Sequence, residues 1–266
     1  MCAHCGCADG TESTLTNLQT GRHVHVDSAG REYTHEHEHT HSHGKEHAAI
    51  IRLEHDVLLK NDRLAEQNRG WLDGRGVRAI NLMSSPGAGK TTLLERTIRE
   101  LGAELGLRVI EGDQETTRDA ERIRSAGANV IQINTGTGCH LDAAMIGRAL
   151  RQLDPPRDSV VMIENVGNLV CPAMFDLGEQ ARVVVASVTE GDDKPGKYPY
   201  IFRRADVIVL NKMDLLSHLD FQAAAFEQAA LELNPRALIF HVSATRGDGL
   251  ESWYRWLRAD SDKATS

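Results

Sequence analysis

Hydrophobic residues fall into short runs along most of the chain, and many of the segments between the runs have apolar residues every three or four positions. The short runs are rich in β-branched residues, which predicts buried strands. The spacing of apolar residues within the segments between the runs predicts helices, such as residues 141–153 and 221–233. The predicted strands are residues 77–83, 107–110, 130–133, 160–163, 183–186, 207–210 and 238–242. Regular alternation of strands and helices predicts an α/β fold with a doubly wound, mainly parallel sheet.

The hydrophobic pattern changes before residue 77. Between Ile50 and Trp71, apolar residues recur at helical spacing among charged ones, which predicts an amphipathic helix on the edge of the domain. Residues 1–47 are polar and show neither the helical nor the strand period. We expect this segment to be a disordered extension, because it can bury too little apolar surface to offset its chain entropy. The predicted organisation is a tail (1–47), a helix with a linker (48–76) and a folded domain (77–266).

The loop after the first strand of this domain has the composition of a phosphate-binding P-loop. Its glycines let backbone N–H groups curl around phosphate oxygens, and the following helix N-terminus favours negative charge. Lys90 is expected to bridge the β- and γ-phosphates, and the Thr91 hydroxyl to bind Mg²⁺. Ser84 replaces the first glycine of the usual pattern, and serine tolerates most loop geometries. We predict a P-loop NTPase whose nucleotide contacts are Ser85, Gly87, Ala88, Gly89, Lys90, Thr91 and Thr92.

Two further motifs indicate guanine as the base. Asn211, Lys212 and Asp214 close the strand at 207–210. The Asp214 carboxylate can accept hydrogen bonds from both N1–H and the 2-amino group of guanine, a pair that adenine lacks, and the Lys212 stem can cover the base. Ser243 and Ala244 follow the last strand, where a backbone N–H can contact the guanine oxygen. The sequence therefore predicts GTP rather than ATP.

Acidic residues follow two other strands at the same edge of the sheet. Glu164 and Gly167 stand where G proteins usually carry Asp-x-x-Gly, whose acid orients Mg²⁺ and whose glycine N–H senses the γ-phosphate. Asp113 is a candidate for positioning water or binding Mg²⁺, with a helix N-cap as the alternative. The predicted catalytic residues are Lys90, Asp113, Glu164 and Gly167, and the predicted Mg²⁺ ligands are Thr91, Asp113 and Glu164.

Three potential ligands for a transition metal lie in loops at this edge. Cys139 and His140 follow one strand, and Cys171 lies four residues beyond Gly167. Two thiolates and one imidazole leave a metal shell incomplete, and a two-fold dimer could complete it. Loss of the γ-phosphate would move the loop that carries Cys171 and alter metal affinity. The alternative is that these are ordinary buried cysteines.

The N-terminal tail carries a second set of metal ligands. Cys2, Cys5 and Cys7 can close around one late transition metal, and the α-amino group as a fourth ligand would suit square-planar Ni(II). An alternating histidine tract suits Ni, Zn or Cu as a looser store of several ions. It comprises His35, His37, His39, His41, His43 and His47. A solvated tail or an engineered tag is the alternative, although tags are usually uninterrupted runs.

Composition narrows the range of functions. The formal net charge of −8 over 266 residues argues against a nucleic-acid binder. The sequence has no apolar run of membrane-spanning length and no signal-peptide core, so we expect a cytoplasmic protein that does not associate with membranes. In that compartment the five cysteines are better interpreted as thiolate ligands or free thiols than as disulfides.

Together these motifs resemble one known family, the HypB GTPases that incorporate nickel into hydrogenases. The resemblance covers essentially the whole chain: the N-terminal cysteines, the histidine tract, the P-loop, and residues 111–113, 136–141, 164–172, 188–195 and 211–214. It implies a low-turnover, dimerising P-loop GTPase of the SIMIBI class. Such a protein delivers Ni(II) to the large-subunit precursor of [NiFe]-hydrogenase, with a small HypA-like partner that binds nickel and zinc.

The same resemblance implies roles for particular residues. Cys139, His140 and Cys171 match a metal site at the dimer interface, where the ligand types alone leave zinc open beside nickel. Cys2, Cys5 and Cys7 match a separate high-affinity nickel site, and Lys194 matches a Lys-Pro loop that reaches nucleotide or the partner subunit. Two other functions fit parts of the sequence: a nickel GTPase for urease or another metalloenzyme, and a metal-storage protein whose P-loop is structural.

Overall fold

The computed structural model describes residues 13–16, 23–26, 32–33, 43–113 and 118–259, with side chains from residue 56 onward. The chain divides into two compact units, Met1–Leu58 and Leu59–Ser266. In the first unit, β1 (Ser13–Thr16), β2 (His23–Val26) and β3 (Glu32–Tyr33) form an antiparallel sheet in that order. These strands lie in the segment where the sequence pattern showed no period, and His-Val-His-Val in β2 is a local alternation of the kind that favours a strand.

The long helix α1 (His43–Asp73) begins earlier than the sequence predicts. Ala48 and Ala49, with Lys45 and Glu46, are strong helix formers, so the helix extends back through His43 and His47. The remaining predicted tail ligands lie outside the described residues; they are Cys2, Cys5, Cys7, His35, His37, His39 and His41.

The second unit contains a parallel sheet of seven strands in the order β10-β9-β8-β4-β7-β5-β6. The strands are β4 (Arg78–Ser84), β5 (Arg108–Asp113), β6 (Asn129–Asn134), β7 (Val160–Glu164), β8 (Ala181–Ser187), β9 (Val207–Asn211) and β10 (Leu238–His241). The helices after α1 are α2 (Lys90–Leu101), α3 (Arg118–Ser125), α4 (Ala143–Leu153), α5 (Cys171–Met174), α6 (Lys194–Lys197), α7 (Pro199–Arg203), α8 (Ala223–Leu233) and α9 (Leu250–Ala259), with a 3₁₀ helix at Met213–His218. The predicted doubly wound α/β fold of a P-loop NTPase is confirmed.

Helices cover both faces of the sheet because successive strand residues point to opposite sides. In β9, Val207 and Val209 pack in one core cluster with residues of α2, α3 and α9, whereas Ile208 and Leu210 pack in a second with residues of α7 and α8. A third cluster joins α1 and α4 to β7 on the second face. None of the described helices is long and apolar enough to span a membrane.

The parallel arrangement places the carboxyl ends of the strands at one edge of the sheet. The chain leaves β4 with β7 on one side and β8 on the other, so a crevice opens beyond this central strand. Loops after β4, β5, β7 and β9 meet there, and these are the loops that carry the predicted nucleotide ligands.

We predict that Trp253→Ala lowers the free energy of unfolding by about 3–5 kcal/mol, the usual cost of removing a large buried side chain. Trp253 is fully buried in the core beside α2, and its Nε1 donates to Thr97 Oγ1 at 3.0 Å. Trp256, which stacks on Trp253 and is only partly buried, is the matched control. Urea denaturation should show a smaller loss for Trp256→Ala; equal losses would contradict this assignment of the core.

Candidate nucleotide and metal site

The P-loop closes the carboxyl end of β4 and lines a cavity of about 600 Å³. Gly87 and Gly89 have φ angles of 80° and 94°, which glycine adopts without steric cost. A Cβ at Gly89 would lie 2.5 Å from Asn211 Nδ2, so both the conformation and the close contact require glycine there. Lys212 Nζ donates to the Gly87 carbonyl at 2.8 Å, which joins the P-loop to the predicted guanine motif.

The loops predicted to bind the base meet beside the P-loop. Asn211 Nδ2 donates to the Ala88 carbonyl at 2.9 Å, and Asn211 Oδ1 accepts from the Ala244 N–H at 3.0 Å. Ser243 Oγ donates to Asp214 Oδ1 at 2.6 Å, which orients that carboxylate. Because the Ala244 N–H is paired within the protein, the predicted contact of this segment with the guanine oxygen stays a prediction.

The predicted catalytic and Mg²⁺-binding residues after β4 and β7 are in direct contact. Lys90 is 8% exposed, its Nζ donates to the Asn165 carbonyl, and it lies 3.8 Å from Glu164 Oε1. Thr91 Oγ1 donates to the same Glu164 oxygen at 2.6 Å. Burial raises the pKa of the Glu164 carboxyl, and Lys90 and Thr91 oppose that rise.

Oxygen atoms suited to Mg²⁺ converge in this cavity. Glu164 Oε2 is buried and has no hydrogen-bond partner, so it remains available as an acceptor. Asp113, at the end of β5, lines the same cavity as Thr91 and Glu164. One hydroxyl and two carboxylates are hard oxygen ligands of the kind that Mg²⁺ prefers, and the donor set therefore fits that ion.

Glu111 is a cavity residue that sequence reasoning missed. It is 2% exposed, its Oε2 has no hydrogen-bond partner, and it is the register partner of Glu164 across β5 and β7. Burial, together with the nearby Glu164 and Asp113 carboxylates, raises the pKa of Glu111 to about 8. A glutamate two positions before Asp113 was the available signal, but its neighbour could not be identified without the strand order.

Helix α3 contributes two further cavity residues, Asp119 and Arg122, that the sequence analysis also missed. Arg122 donates to Glu95 at 2.6 Å, to Asp119 at 3.1 Å and to the Thr92 hydroxyl at 3.3 Å. The charged residues of the cavity wall are Glu111, Asp113, Asp119 and Glu164, opposed by Lys90, Arg122 and Lys212. Nucleotide phosphates would add negative charge to this wall, which favours a divalent cation there.

The two cysteine loops come together, as the sequence analysis predicted. Cys139 Sγ lies 2.7 Å from Cys171 Sγ and 3.6 Å from His140 Nδ1, and the ligand atoms of all three residues lie within 4.8 Å of one another. Burial lowers the pKa of His140, which favours the neutral imidazole that metals bind. The ring of Phe175 stacks on His140 with centroids 3.9 Å apart and orients the imidazole.

Asn165 connects the nucleotide cavity to this cysteine cluster. It is fully buried, and its backbone carbonyl accepts the hydrogen bond from Lys90. Its side-chain oxygen accepts from the Leu141 N–H at 3.3 Å and from the Val166 N–H at 3.0 Å. Asn165 therefore hydrogen-bonds both to the P-loop lysine and to the backbone that follows His140.

Lys194 also contacts the P-loop. Its Nζ donates to Ser85 Oγ at 3.1 Å and lies 3.5 Å from Glu190 Oε1. The ammonium group thus reaches a predicted nucleotide residue within the same chain.

The chain is similar to known proteins over most of its length. The CobW/HypB/UreG nucleotide-binding domain matches residues 78–241. The hydrogenase maturation factor HypB of Rhizobium leguminosarum bv. viciae is 55% identical over 218 residues, which are 82% of this chain and 73% of that relative.

Solved structures agree with this match. The crystal structure of the hydrogenase maturation factor HypB from Archaeoglobus fulgidus has a TM-score of 0.72 and 44% identity, covering 77% of this chain and all of that one (100%). HypB from Helicobacter pylori, solved in complex with nickel, has a TM-score of 0.72 and 38% identity, covering 77% of this chain and 96% of that one. The P-loop with its adjoining guanine motif, the parallel sheet and these similarities agree: the chain belongs to the CobW/HypB/UreG family and, within it, to the HypB group of P-loop GTPases.

Proposed function

We propose that this GTPase delivers Ni(II) to the large-subunit precursor of a [NiFe]-hydrogenase, and that nickel affinity and dimerisation depend on the bound nucleotide. The observation that carries the proposal is the position of Asn165, which hydrogen-bonds both to the P-loop lysine and to the backbone beside His140. A GTPase without metal cargo would have no need of two cysteine thiols and a neutral histidine at the end of that connection.

Hydrolysis transfers the γ-phosphoryl group to water and breaks its bond to GDP. Lys90 neutralises charge on the transferring group, and Asp113 at the end of β5 is the residue we assign to positioning the water. Thr91, Glu164 and Asp113 would bind Mg²⁺, which supplies charge neutralisation at the phosphates. A Cβ at Gly167 would lie close to Pro86 of the P-loop. We assign the Gly167 N–H to sensing the γ-phosphate.

Competition for the Lys90 ammonium couples the nucleotide to the metal. Lys90 donates to the Asn165 carbonyl. A γ-phosphate offers the ammonium a more highly charged acceptor, so Lys90 would leave that carbonyl. Asn165 would then be free to shift with Val166, and its side-chain bond to Leu141 would pass the shift to Cys139 and His140.

Nickel is the cargo of this cluster. Two thiolates and one neutral imidazole suit Ni(II) and also Zn(II), and three ligands leave room for a ligand from a second subunit. A homodimer that shares the metal would release it when the interface changes. We further propose that Cys2, Cys5 and Cys7 form a separate nickel site and that the histidine tract stores additional ions.

Similarity to known proteins supports the choice of client and accessory partner. The relative from Rhizobium leguminosarum bv. viciae is a hydrogenase maturation factor, a relative from Helicobacter pylori is a hydrogenase/urease maturation factor, and HypB from Helicobacter pylori was solved in complex with nickel. We therefore propose a hydrogenase precursor as the recipient and a HypA-like nickel- and zinc-binding protein as the partner.

Lys90→Ala should reduce the rate of GTP hydrolysis roughly 100-fold, because the transferring phosphoryl group loses a fixed cation in a dry site. Arg236→Ala removes one exposed positive charge at the opposite edge of the sheet and is the matched control. Phosphate release under single-turnover conditions measures the effect. A Lys90→Ala protein that hydrolyses GTP and supports hydrogenase maturation at the parental rate would contradict the proposed mechanism.

Asp214→Asn should weaken GTP binding roughly 10- to 100-fold, because a charged acceptor for two guanine donors becomes a neutral amide. The asparagine oxygen can still accept from Ser243, so the loop should keep its conformation. Asp220→Asn, at an exposed position nearby, is the control. Fluorescent nucleotide titration tests this, and an unchanged GTP affinity would rule out Asp214 as the base-specific acceptor.

Asn165→Ala should make nickel affinity independent of the nucleotide, because the side-chain bond to Leu141 is lost. The measurement uses the full chain with Cys2, Cys5 and Cys7 changed to serine, which we call the triple-serine protein. Nickel–thiolate charge-transfer absorption then reports only on Cys139 and Cys171. Titrations with GDP and with a non-hydrolysable GTP analogue should differ in the triple-serine protein and agree in its Asn165→Ala variant.

Asn81→Ala is the matched control for this experiment. It removes the hydrogen bond from Asn165 Nδ2 to Asn81 Oδ1, 3.2 Å long, but leaves the bond between Asn165 and Leu141. The nucleotide dependence should survive in that variant. If Asn165→Ala retains it as well, the coupling does not run through Asn165.

A further inference from the structure

Helix α1 contributes two buried asparagines that contact both loops of the cysteine cluster. Asn61 and Asn68 are 5% and 7% exposed, and their spacing of seven residues places them on one face of the helix. We name this pair the asparagine clamp. In a sequence its members look like ordinary polar positions of an amphipathic helix, yet both side chains point into the domain.

Each clamp residue bridges the segment after His140 to the segment after Cys171. Asn61 Oδ1 accepts from the Ala143 N–H at 2.9 Å, and Asn61 Nδ2 donates to the Asp176 carbonyl at 2.7 Å. Asn68 Nδ2 donates to the carbonyls of Ala143 at 2.8 Å and Leu177 at 3.0 Å. Both backbone groups of Ala143 are therefore bound to α1, three residues beyond His140.

The segment after Cys171 also orients the imidazole of His140. Phe175, whose ring stacks on His140, immediately precedes Asp176. Arg69 on α1 donates to both carboxylate oxygens of Asp176 at 2.9 Å. Helix α1 therefore fixes the backbone on both sides of the cluster and the aromatic ring against its histidine.

The contact between α1 and these loops is tight enough to exclude side chains. A Cβ at Gly178 would lie 2.5 Å from the Ala65 carbonyl and 2.7 Å from the Asn68 Cβ. A Cβ at Gly147, on α4, would lie 2.7 Å from Asn68 Oδ1. Glycine at these two positions lets α1 approach closely enough for both asparagines to hydrogen-bond to the main chain.

We propose that Asn61 and Asn68 are positioning residues for the metal cluster, and that they set its nickel affinity and geometry by fixing the distance between the two ligand loops. They act through the backbone and contact no ligand atom. This inference rests on the proposed function, because it takes Cys139, His140 and Cys171 to bind nickel. Groups that hydrogen-bond directly to metal ligands typically change metal affinity by about 10- to 100-fold when removed, and we expect the lower end of that range for groups that act through the backbone.

The test is nickel titration of the triple-serine protein carrying Asn61→Ala or Asn68→Ala, followed by charge-transfer absorption. We expect each substitution to weaken nickel binding roughly tenfold or more and to shift the absorption bands, because the thiolate and imidazole geometry relaxes. GDP affinity should stay within a few-fold of the parent's, since neither residue lines the nucleotide cavity.

Asn234→Ala separates positioning from general stability. Asn234 has the same hydrogen-bond pattern as Asn61: Nδ2 donates to the Ala205 carbonyl at 2.7 Å and Oδ1 accepts from the Arg236 N–H at 3.1 Å. It lies between α8 and β10, away from the cysteine loops. Its loss should lower the melting temperature by a similar amount while the nickel spectrum and affinity remain parental.

A milder variant covers the case in which the alanine variants fail to fold. Asn61→Gln keeps a neutral amide with both an acceptor and a donor and displaces them by one methylene, so it should give a partial loss of nickel affinity. Spectra and affinities of the clamp variants that match those of Asn234→Ala would overturn the inference while leaving the proposed function intact. A parent with no thiolate–nickel absorption would instead overturn both.

Discussion

The Lys90 ammonium is almost completely buried and is hydrogen-bonded to the Asn165 carbonyl. It lies 3.8 Å from Glu164, whose own pKa is raised by burial. A buried cation is costly unless it is paired, so Lys90 needs acceptors close to it. The Asn165 carbonyl and Glu164 meet that requirement. The same requirement would make the site respond to phosphate, because phosphate oxygens offer the ammonium a more negatively charged acceptor than a peptide carbonyl does.

The backbone that follows His140 is fixed by contacts at two points. On one side, Leu141 is bonded to Asn165, and its side chain also packs against Gly112, where a Cβ would lie only 2.8 Å away. Gly112, in β5, lines the nucleotide cavity, and so do Glu164 and Val166, the neighbours of Asn165 in the chain. On the other side, Ala143 is bonded through both its N–H and its carbonyl to the asparagine clamp of α1. The segment after His140 is therefore bonded at Leu141 to Asn165, beside the nucleotide cavity, and at Ala143 to helix α1.

Much of the fold and part of the site could be predicted from the sequence, because the relevant signals are local. The strands are short apolar runs, and Gly87 and Gly89 mark a strand-to-helix turn whose backbone needs positive φ. Loops that follow parallel strands meet at one edge, which is why the approach of Cys139 to Cys171 could be anticipated. The start of α1 was less predictable, since the alanines, lysine and glutamate before Ile50 favour a helix without adding to its apolar face.

The remaining site features depend on contacts between distant segments. Glu111 faces Glu164 because β7 inserts between β4 and β5, an order that no local pattern encodes. Asn61 and Asn68 satisfy main-chain groups about 75 to 115 residues away, and an asparagine on a helix gives no sign of which backbone it will meet. Asn165 stands in a motif that was identified for its acid and its glycine, so its own role became visible only with the hydrogen bonds of its side chain.

We expect one GTP hydrolysis event to change how the cysteine cluster binds nickel. Stopped-flow mixing of the nickel-loaded triple-serine protein with GTP and Mg²⁺ tests it, with nickel–thiolate absorption and phosphate release followed on the same sample. The absorption should change with the rate constant of phosphate release, and a non-hydrolysable analogue should give only the change that accompanies binding. Phosphate release at the normal rate with a constant nickel–thiolate spectrum in both experiments would show that hydrolysis is not coupled to the metal.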